Sequence, residues 1–467
     1  MKSKGTSTVM SFLKVRSRRL CSLTLVSLWA LSVFAAQAGA QGQLPAGKAG
    51  ESHPENPVLT SSEAGSHAVP TFGLMTDNNN PNGNSVSLYS LQNGELNDLE
   101  DIDICNGCGH QNPPPCNPCI KVMQTPTFFC AVIVDGLSQQ YPYGDIEVGK
   151  EPPYALIGQP PPFYVQQTIP APIDPYDGIQ SSTIYAQVTY GSFTYPPPGG
   201  YLVYVTYIDL SGQQWMQTYV MNFSNCTLSI YVPIYQLPID PVEGMAPIVQ
   251  PNSKQAGAVV AYQNQEVGSV AIVEGKKAVQ YGPYPSQGNV ADVQVTSNGK
   301  FAIFGDNTTG APQIEVYPIN TDFSLGQESV YSNLGPGSNS ANIHMSPDER
   351  FLYVGNTSSG QITTLSLDPV KGAVSYACVS PVLNGFATNW ATTEGMDTEV
   401  KTGAGGYLYV AENAGGLSPF SSIGVLAIDE NTGCATEVPG SPFLNLNSPG
   451  SFSFVSVPTT GTTAGTP

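Results

Sequence analysis

Thr296-Ser297-Asn298-Gly299-Lys300-Phe301-Ala302-Ile303-Phe304-Gly305-Asp306 returns fifty residues later as Ser346-Pro347-Asp348-Glu349-Arg350-Phe351-Leu352-Tyr353-Val354-Gly355-Asn356. Each copy is a polar turn followed by an apolar, β-branched and aromatic run, the composition of a strand. Tyr407-Leu408-Tyr409-Val410-Ala411-Glu412 is a third copy, 56 residues beyond the second. Alternating segments follow each copy: Gln313–Tyr317, Gln361–Leu367 and Ile423–Ile428. Period-two alternation marks half-buried strands. Gly, Pro and Asn recur too often for an uninterrupted helix, and the chain past its leader predicts none. Antiparallel units of fixed length that cannot bury both faces alone imply radial stacking, the design of a β-propeller.

The chain ends complete the pattern. Ser451–Val457 reads as a lone strand with nothing after it to pair with. Phe72–Asp77 and Asn84–Tyr89 read as the second and third strands of a unit lacking its first. Joining them builds one blade from both termini and restrains both ends. Between these ends, Thr183–Val188, Tyr201–Ile208, Trp215–Phe223 and Cys226–Pro233 form another blade. Ala258–Ala261 with Ser269–Val273, and Phe128–Val134 with Asp145–Val148, begin two more. The expected fold is therefore all-β: a seven-bladed β-propeller over residues 69–458, closed by pairing the C-terminal strand with the N-terminal blade. Residues 105–245 are the irregular part. The Pro-rich stretch 151–175 reads as a polyproline-like excursion, or 105–245 is an inserted β-sandwich on a smaller ring.

The full sequence of 467 residues carries 16 basic and 35 acidic residues, a net charge of −19. Lys2, Lys4, Lys14, Arg16, Arg18 and Arg19 all precede an apolar run, Leu20–Ala35, and the small residues Ala36–Ala40. Residues 1–40 thus read as an export signal, with Ser17-Arg18-Arg19-Leu20 resembling a twin-arginine type. Residues 41–68 read as a flexible tether and 459–467 as a disordered tail. Removing the leader leaves ten basic residues against 35 acidic ones, a net of −25 with Arg350 as the remaining arginine. No basic face is left for nucleic acid or for an anionic membrane surface. No second apolar stretch offers a membrane span. The expected location is periplasmic or secreted.

Asn342–Asn356 resembles the "SPDGRFLYVAN" turn and strand of the lactonase-type and YVTN-type bacterial β-propellers. Leu367–Ala373 is similar to their Asp-Pro turn ending in Gly, and Val438-Pro439-Gly440-Ser441-Pro442-Phe443 to an ending common in secreted members. The match is good over 289–457, fair over 71–96 and poor over 105–250. The resemblance implies the propeller scaffold, and such a scaffold hosts many functions. The family includes enzymes that open 6-phosphogluconolactone, using a Pro-Arg-His triplet just before the turn. Here that stretch is Ser340-Ala341-Asn342, without the Arg or the His. A phosphosugar also needs cationic partners, and Arg350 sits in a hairpin turn. The phosphogluconolactonase reaction is expected to be absent.

Three kinds of candidate site remain. His344 is the one histidine on a blade strand, with Asp292 or Asp306 of the neighbouring blade as its acid partner in a ring-opening hydrolysis. The bland alternative is a packed or exposed strand histidine. Cys105, Cys108, Cys116 and Cys119 form two Cys-x-x-Cys pairs around His110. That spacing suits tetrahedral zinc, a redox or cluster role, or disulfides, which an oxidising compartment favours. Cys130 with Cys226, and Cys378 with Cys434, are further disulfide candidates on neighbouring blades. Asp77–Asn84 is an oxygen-rich loop that suits calcium or a set of Asx turns. The Tyr and Pro residues of 140–245 would line a glycan or peptide surface, or fill blade interfaces. The leading expectation is an exported, non-catalytic propeller that requires no cofactor and binds a protein, glycan or small molecule. The alternative is a lactonase-like hydrolase acting on a small uncharged lactone.

Overall fold

The computed structural model describes 29 strands between Phe72 and Ser456, together with most of the connections from residue 213 onward. β1 (Phe72–Asn78), β2 (Ser85–Gln92) and β3 (Glu95–Asp103) open the first sheet. β4 (Ile120–Gln124), β5 (Phe129–Asp135), β6 (Asp145–Glu151) and β7 (Tyr164–Pro170) make the second. The third holds β8 (Ala186–Phe193), β9 (Gly200–Ile208), β10 (Gln214–Asn222) and β11 (Thr227–Gln236). The fourth holds β12 (Val242–Ile248), β13 (Ala256–Tyr262), β14 (Glu266–Val273) and β15 (Lys277–Pro285). β16 (Val290–Val295), β17 (Phe301–Asp306), β18 (Gln313–Pro318) and β19 (Ser329–Tyr331) make the fifth. β20 (Ser340–Met345), β21 (Phe351–Asn356), β22 (Gln361–Asp368) and β23 (Ala373–Val379) make the sixth. The seventh comprises β24 (Ala391–Lys401), β25 (Gly405–Ala414), β26 (Ser421–Ile428) and β27 (Ala435–Glu437), with β28 (Phe443–Asn445) also on β26. The last strand, β29 (Pro449–Ser456), pairs antiparallel with β1, from Phe72 opposite Ser456 to Asn78 opposite Pro449.

The fold is all-β: seven small antiparallel sheets among the described residues. β12 touches β16, β16 touches β20, β20 touches β24 and β24 touches β29. β29 in turn touches β4, β4 touches β8 and β8 touches β12. Leading strands therefore meet leading strands from sheet to sheet.

Sheet stacking explains why the repeat is so apolar. β13 and β21 are buried at every position, and β17 at all but its first. The repeated run Phe351–Asn356 is thus covered on both faces, and the alternating strands that follow the copies, β18 and β22, are buried through their middles rather than half-buried. Strands buried on both faces read as near-continuous apolar runs. The alternating, water-facing pattern belongs to the outer strands β11, β15 and β23. Several elements differ from the sequence reading. The Pro-rich stretch 151–175 contains strand β7, and Pro247 sits inside β12, opposite Ala258. Both escape a reading that treats Pro as a strand breaker.

The polar turn of the repeat latches one sheet to the next. Thr296 Oγ1 donates to Asn298 Oδ1 at 2.8 Å and accepts from the Phe301 amide at 3.1 Å. Ser346, Asp348 and Phe351 repeat this at 2.7 and 3.0 Å. Asn298 Nδ2 then donates to the Pro369 carbonyl of the sixth sheet at 2.9 Å, and Arg350 Nη2 to the Glu430 carbonyl of the seventh at 3.1 Å. The receiving turns are built on Asp368 and Asp429, whose carboxylates accept following backbone amides. Each ends in a left-handed glycine, Gly372 (φ 67°) or Gly433 (φ 71°). Phe301 packs on Gly372, and Phe351 on Gly433. In the fifth sheet a left-handed, fully buried Phe323 (φ 74°) packs back onto Gly257 of the fourth, where an added Cβ would lie 2.7 Å from its ring.

Gly372→Ala and Gly433→Ala therefore combine a left-handed alanine with a methyl driven into a phenylalanine. At Gly372 that methyl would lie 2.6 Å from the Phe301 ring. Each variant should lose about 2–4 kcal/mol in urea unfolding. A loss near zero would show that the turns do not hold the sheets together.

Candidate functional site

Asp292 lies on β16 and His344 on β20, so neighbouring sheets bring them onto adjacent strands. Asp292 Oδ1 accepts from the Val293 amide at 2.7 Å, and its Oδ2 accepts from the Ile343 amide at 3.1 Å. The Ile343 carbonyl accepts from Gln294 Nε2 at 3.3 Å. Two side chains of β16 thus satisfy the exposed edge of β20 at Ile343, a position that would otherwise offer unpaired backbone. Ile343 is buried, whereas His344, next along the strand, is half-buried. The structure places the Asp292 carboxylate beside the backbone that carries His344. Asp306 sits at the far end of β17 and is fully buried, paired through its backbone with Val290 and Gln313.

Ala341 and Asn342 fall in a bulge of β20 between Ser340 and Ile343. Arg350 lies in the β20–β21 turn. Its Nε is 2.6 Å from Asp348 Oδ2, its Nη2 donates to Glu430, and its guanidinium lies 5.2 Å from the Phe351 ring centroid. This arginine takes part in the inter-sheet latch with its side chain half exposed.

Cys130 and Cys226 have sulfurs 2.14 Å apart and Cα atoms 5.3 Å apart; Cys378 and Cys434 are at 2.03 and 6.0 Å. Both are at disulfide distance. The first pair joins the second sheet to the third, the other the sixth to the seventh. The first is fully buried, and the second is half-buried. Beside the first, Gln167 of β7 clamps Leu228 of β11, accepting from its amide at 2.7 Å and donating to its carbonyl at 3.2 Å. Cys105, Cys108, Cys116, Cys119 and His110 lie outside the described residues, as does most of the Asp77–Asn84 loop. Among the described residues, no group of three or more His, Cys, Asp or Glu is placed to hold a metal. No described helix is long and apolar enough to cross a membrane.

The tyrosines of the third sheet fill interfaces. Tyr204, Tyr207 and Tyr219 are buried. Tyr219 donates to Gln217 Oε1 at 2.8 Å, so Tyr207 must donate to Tyr219, 2.9 Å away. Burial pushes the Tyr219 phenol up to about 12.

Sequence reasoning missed one polar cluster. Glu315 of β18 is fully buried, and Tyr317 Oη stands 2.8 Å from both Glu315 Oε2 and Glu328 Oε2. The available signal was a glutamate in the middle of Gln313-Ile314-Glu315-Val316-Tyr317, a strand whose other residues serve a core.

No family model matches the chain, and no curated protein matches it. Solved structures do. A candidate 6-phosphogluconolactonase from Bacteroides uniformis is 14% identical, with a TM-score of 0.56, covering 83% of this chain and 100% of its own. The periplasmic gluconolactonase of Pseudomonas aeruginosa is 14% identical, with a TM-score of 0.56 and coverage of 83% and 99%. A Bacteroides fragilis candidate 6-phosphogluconolactonase is 13% identical, with a TM-score of 0.55 and coverage of 83% and 98%. At these identities the likeness is one of fold: the chain has a lactonase-like, all-β propeller-type architecture.

Graded reduction followed by alkylation should label Cys378 and Cys434 before Cys130 and Cys226, because burial shields Cys130 and Cys226. Replacing either pair by serine should cost about 4 kcal/mol by loop entropy, since the bridges span 96 and 56 residues. Simultaneous labelling would contradict the assigned burial.

Proposed function

We propose that the chain is an exported, non-catalytic, seven-bladed β-propeller that binds or scaffolds outside the cytoplasm. In this reading the seven sheets are blades, 105–245 supplies two of them rather than an insert, and β29 closes the ring on the N-terminal blade. The unbroken succession of contacts between leading strands supports closure. The placement of β4–β7 and β8–β11 in two four-stranded sheets supports the blade count. Two disulfide-compatible pairs between consecutive sheets fit an oxidising compartment. Residues 1–40 as an export signal, 41–68 as a tether and 459–467 as a tail belong to the same proposal.

One observation carries the non-catalytic reading: polar groups that would serve a reaction are engaged in holding sheets together. Arg350 bonds to Asp348 and Glu430, and Asp292 spans two backbone amides. A general base must reach the proton it removes, and an anionic substrate needs a cation facing it.

A second reading is favoured by a specific placement. Asp292 stands against the strand of half-buried His344, and two fold neighbours are described as candidate 6-phosphogluconolactonases, a third as a gluconolactonase. On this reading His344 is the general base of a lactone-opening hydrolase for an uncharged substrate.

The purified mature protein, tested against a panel of neutral and phosphorylated lactones, should hydrolyse none above the buffer rate, and His344→Ala should change nothing. Turnover of a neutral lactone that His344→Ala removes would establish the hydrolase instead. Metal content and free-thiol titration of the same preparation distinguish zinc at Cys105, Cys108, Cys116 and Cys119 from disulfides there.

A further inference from the structure

Glu315, Tyr317 and Glu328 meet at the seam between the fourth and fifth sheets. Tyr317 Oη is 2.8 Å from Glu315 Oε2 and 2.8 Å from Glu328 Oε2. Both are full hydrogen-bond lengths for oxygen pairs, and such bonds are near-linear. A phenol carries a single proton. It cannot make two near-linear bonds of that length to two carboxylates, so one contact needs a proton from the carboxyl side.

The surroundings identify which carboxyl supplies it. Glu315 is fully buried, while Glu328 is half-buried. Gln287, in the connection from β15 to β16, donates its backbone N–H to Glu315 Oε1 at 2.9 Å and its Nε2–H to Glu328 Oε1 at 2.5 Å. Each carboxyl thus accepts one donor from Gln287 and turns its other oxygen to the phenol, so burial decides between them: the fully buried Glu315 suits the protonated acid and the more exposed Glu328 the carboxylate. The ionisable groups acting on Glu315 are Tyr317 of its own strand, Asp306 of β17 and Glu328 of the segment before β19, all acids. Tyr281 and Tyr284 of β15 pack on the same apolar cluster. The Pro285 carbonyl, 3.5 Å from Tyr317 Oη, is too distant to take the phenolic proton strongly.

We propose that this triad is a proton-holding clamp: Glu315 keeps its acid proton and donates it to Tyr317 Oη, and Tyr317 donates its own to the Glu328 carboxylate. Removing that proton places a buried carboxylate against a phenol already directed at Glu328, with Asp306 adding repulsion. The hold of β18 and the segment before β19 on each other and on the β15–β16 connection is thereby tightened by acid and loosened by base. Burial, first, and the neighbouring acids raise the Glu315 carboxyl above the usual range, in keeping with this geometry. An acid raised in the folded state stabilises fully below its unfolded value of about 4.3 and loses that contribution as pH climbs through its folded value. Asp368 and Asp429 of the latching turns run the other way. Hydrogen bonds from Lys371 and from Thr432, respectively, hold them below the usual range, so their contribution fades only in acid.

Glu315→Gln separates the two effects, because an amide can still donate to Tyr317 and accept from Gln287 without titrating. In the full chain, the infrared carbonyl band of a protonated carboxyl should persist in the wild type above the pH at which ordinary glutamates ionise and be absent from the variant. The folded-to-unfolded ratio of the wild type should fall by up to about tenfold per pH unit, relative to the variant, across the titration of Glu315. No difference band, or an identical pH profile, would overturn the clamp. Should Glu315→Gln fail to fold, Tyr317→Phe gives the same test. The band should move to higher frequency as the acid loses its acceptor, and an unmoved band would overturn the proposal.

Discussion

A sheet that is apolar on both faces cannot stand alone in water, and the rest of this structure depends on that constraint. β13, β17 and β21 are buried through nearly their whole length. Each can be so only if another sheet lies on either side. At roughly 25 cal/mol per Å² of apolar area, this stacking outweighs any single polar contact. The polar contacts have a narrower task, which is to fix how each sheet meets the next. The turn latches at Asn298 and Arg350, the glycine–phenylalanine contacts at Gly372 and Gly433, and the edge caps from Asp292 and Gln167 all act at such seams.

That division explains what was legible in the sequence. The fifty-residue echo of Thr296–Asp306 in Ser346–Asn356 exposed the unit, because a strand covered on both faces must be apolar and its turn must be polar. The lone strand at the C-terminus and the incomplete unit near the N-terminus could be matched for the same reason. In the third sheet β9, β10 and β11 were legible to within a few residues, whereas β8 runs Ala186–Phe193 against an expected Thr183–Val188. β7 and β12 were not legible, because Pro-rich segments can still pair when their remaining amides suffice. The candidate site was less legible. Strand position placed His344 and Asp292 on neighbouring sheets, but spacing cannot reveal that Asp292 would bond the Ile343 amide. Nor can it reveal that Glu315 would be buried opposite a tyrosine shared with Glu328. Such contacts join residues from different sheets, and the sequence has no local mark of them.

The charge balance gains meaning from the same seams. Beyond residue 40 the chain carries one arginine, Arg350, and the structure commits it to the β20–β21 turn. Its acids include a buried group, Glu315, whose proton-sharing arrangement tolerates the excess of negative charge by not ionising. The likeness to lactonase-type structures is therefore one of frame.

In the proposed reading, seven sheets close into one ring through the pairing of β29 with β1. Met75 lies opposite Ser453 in that pairing. Antiparallel partners stand about 4.5–5.5 Å apart at Cα, within reach of a disulfide. The most direct measurement is oxidation of the Met75→Cys, Ser453→Cys double variant, followed by peptide mapping without reduction. A closed ring predicts a cross-linked peptide joining the two chain ends in high yield from the folded protein and little from the urea-unfolded one. Equal yields in the two states, or no cross-link in the folded protein, would contradict the closed ring.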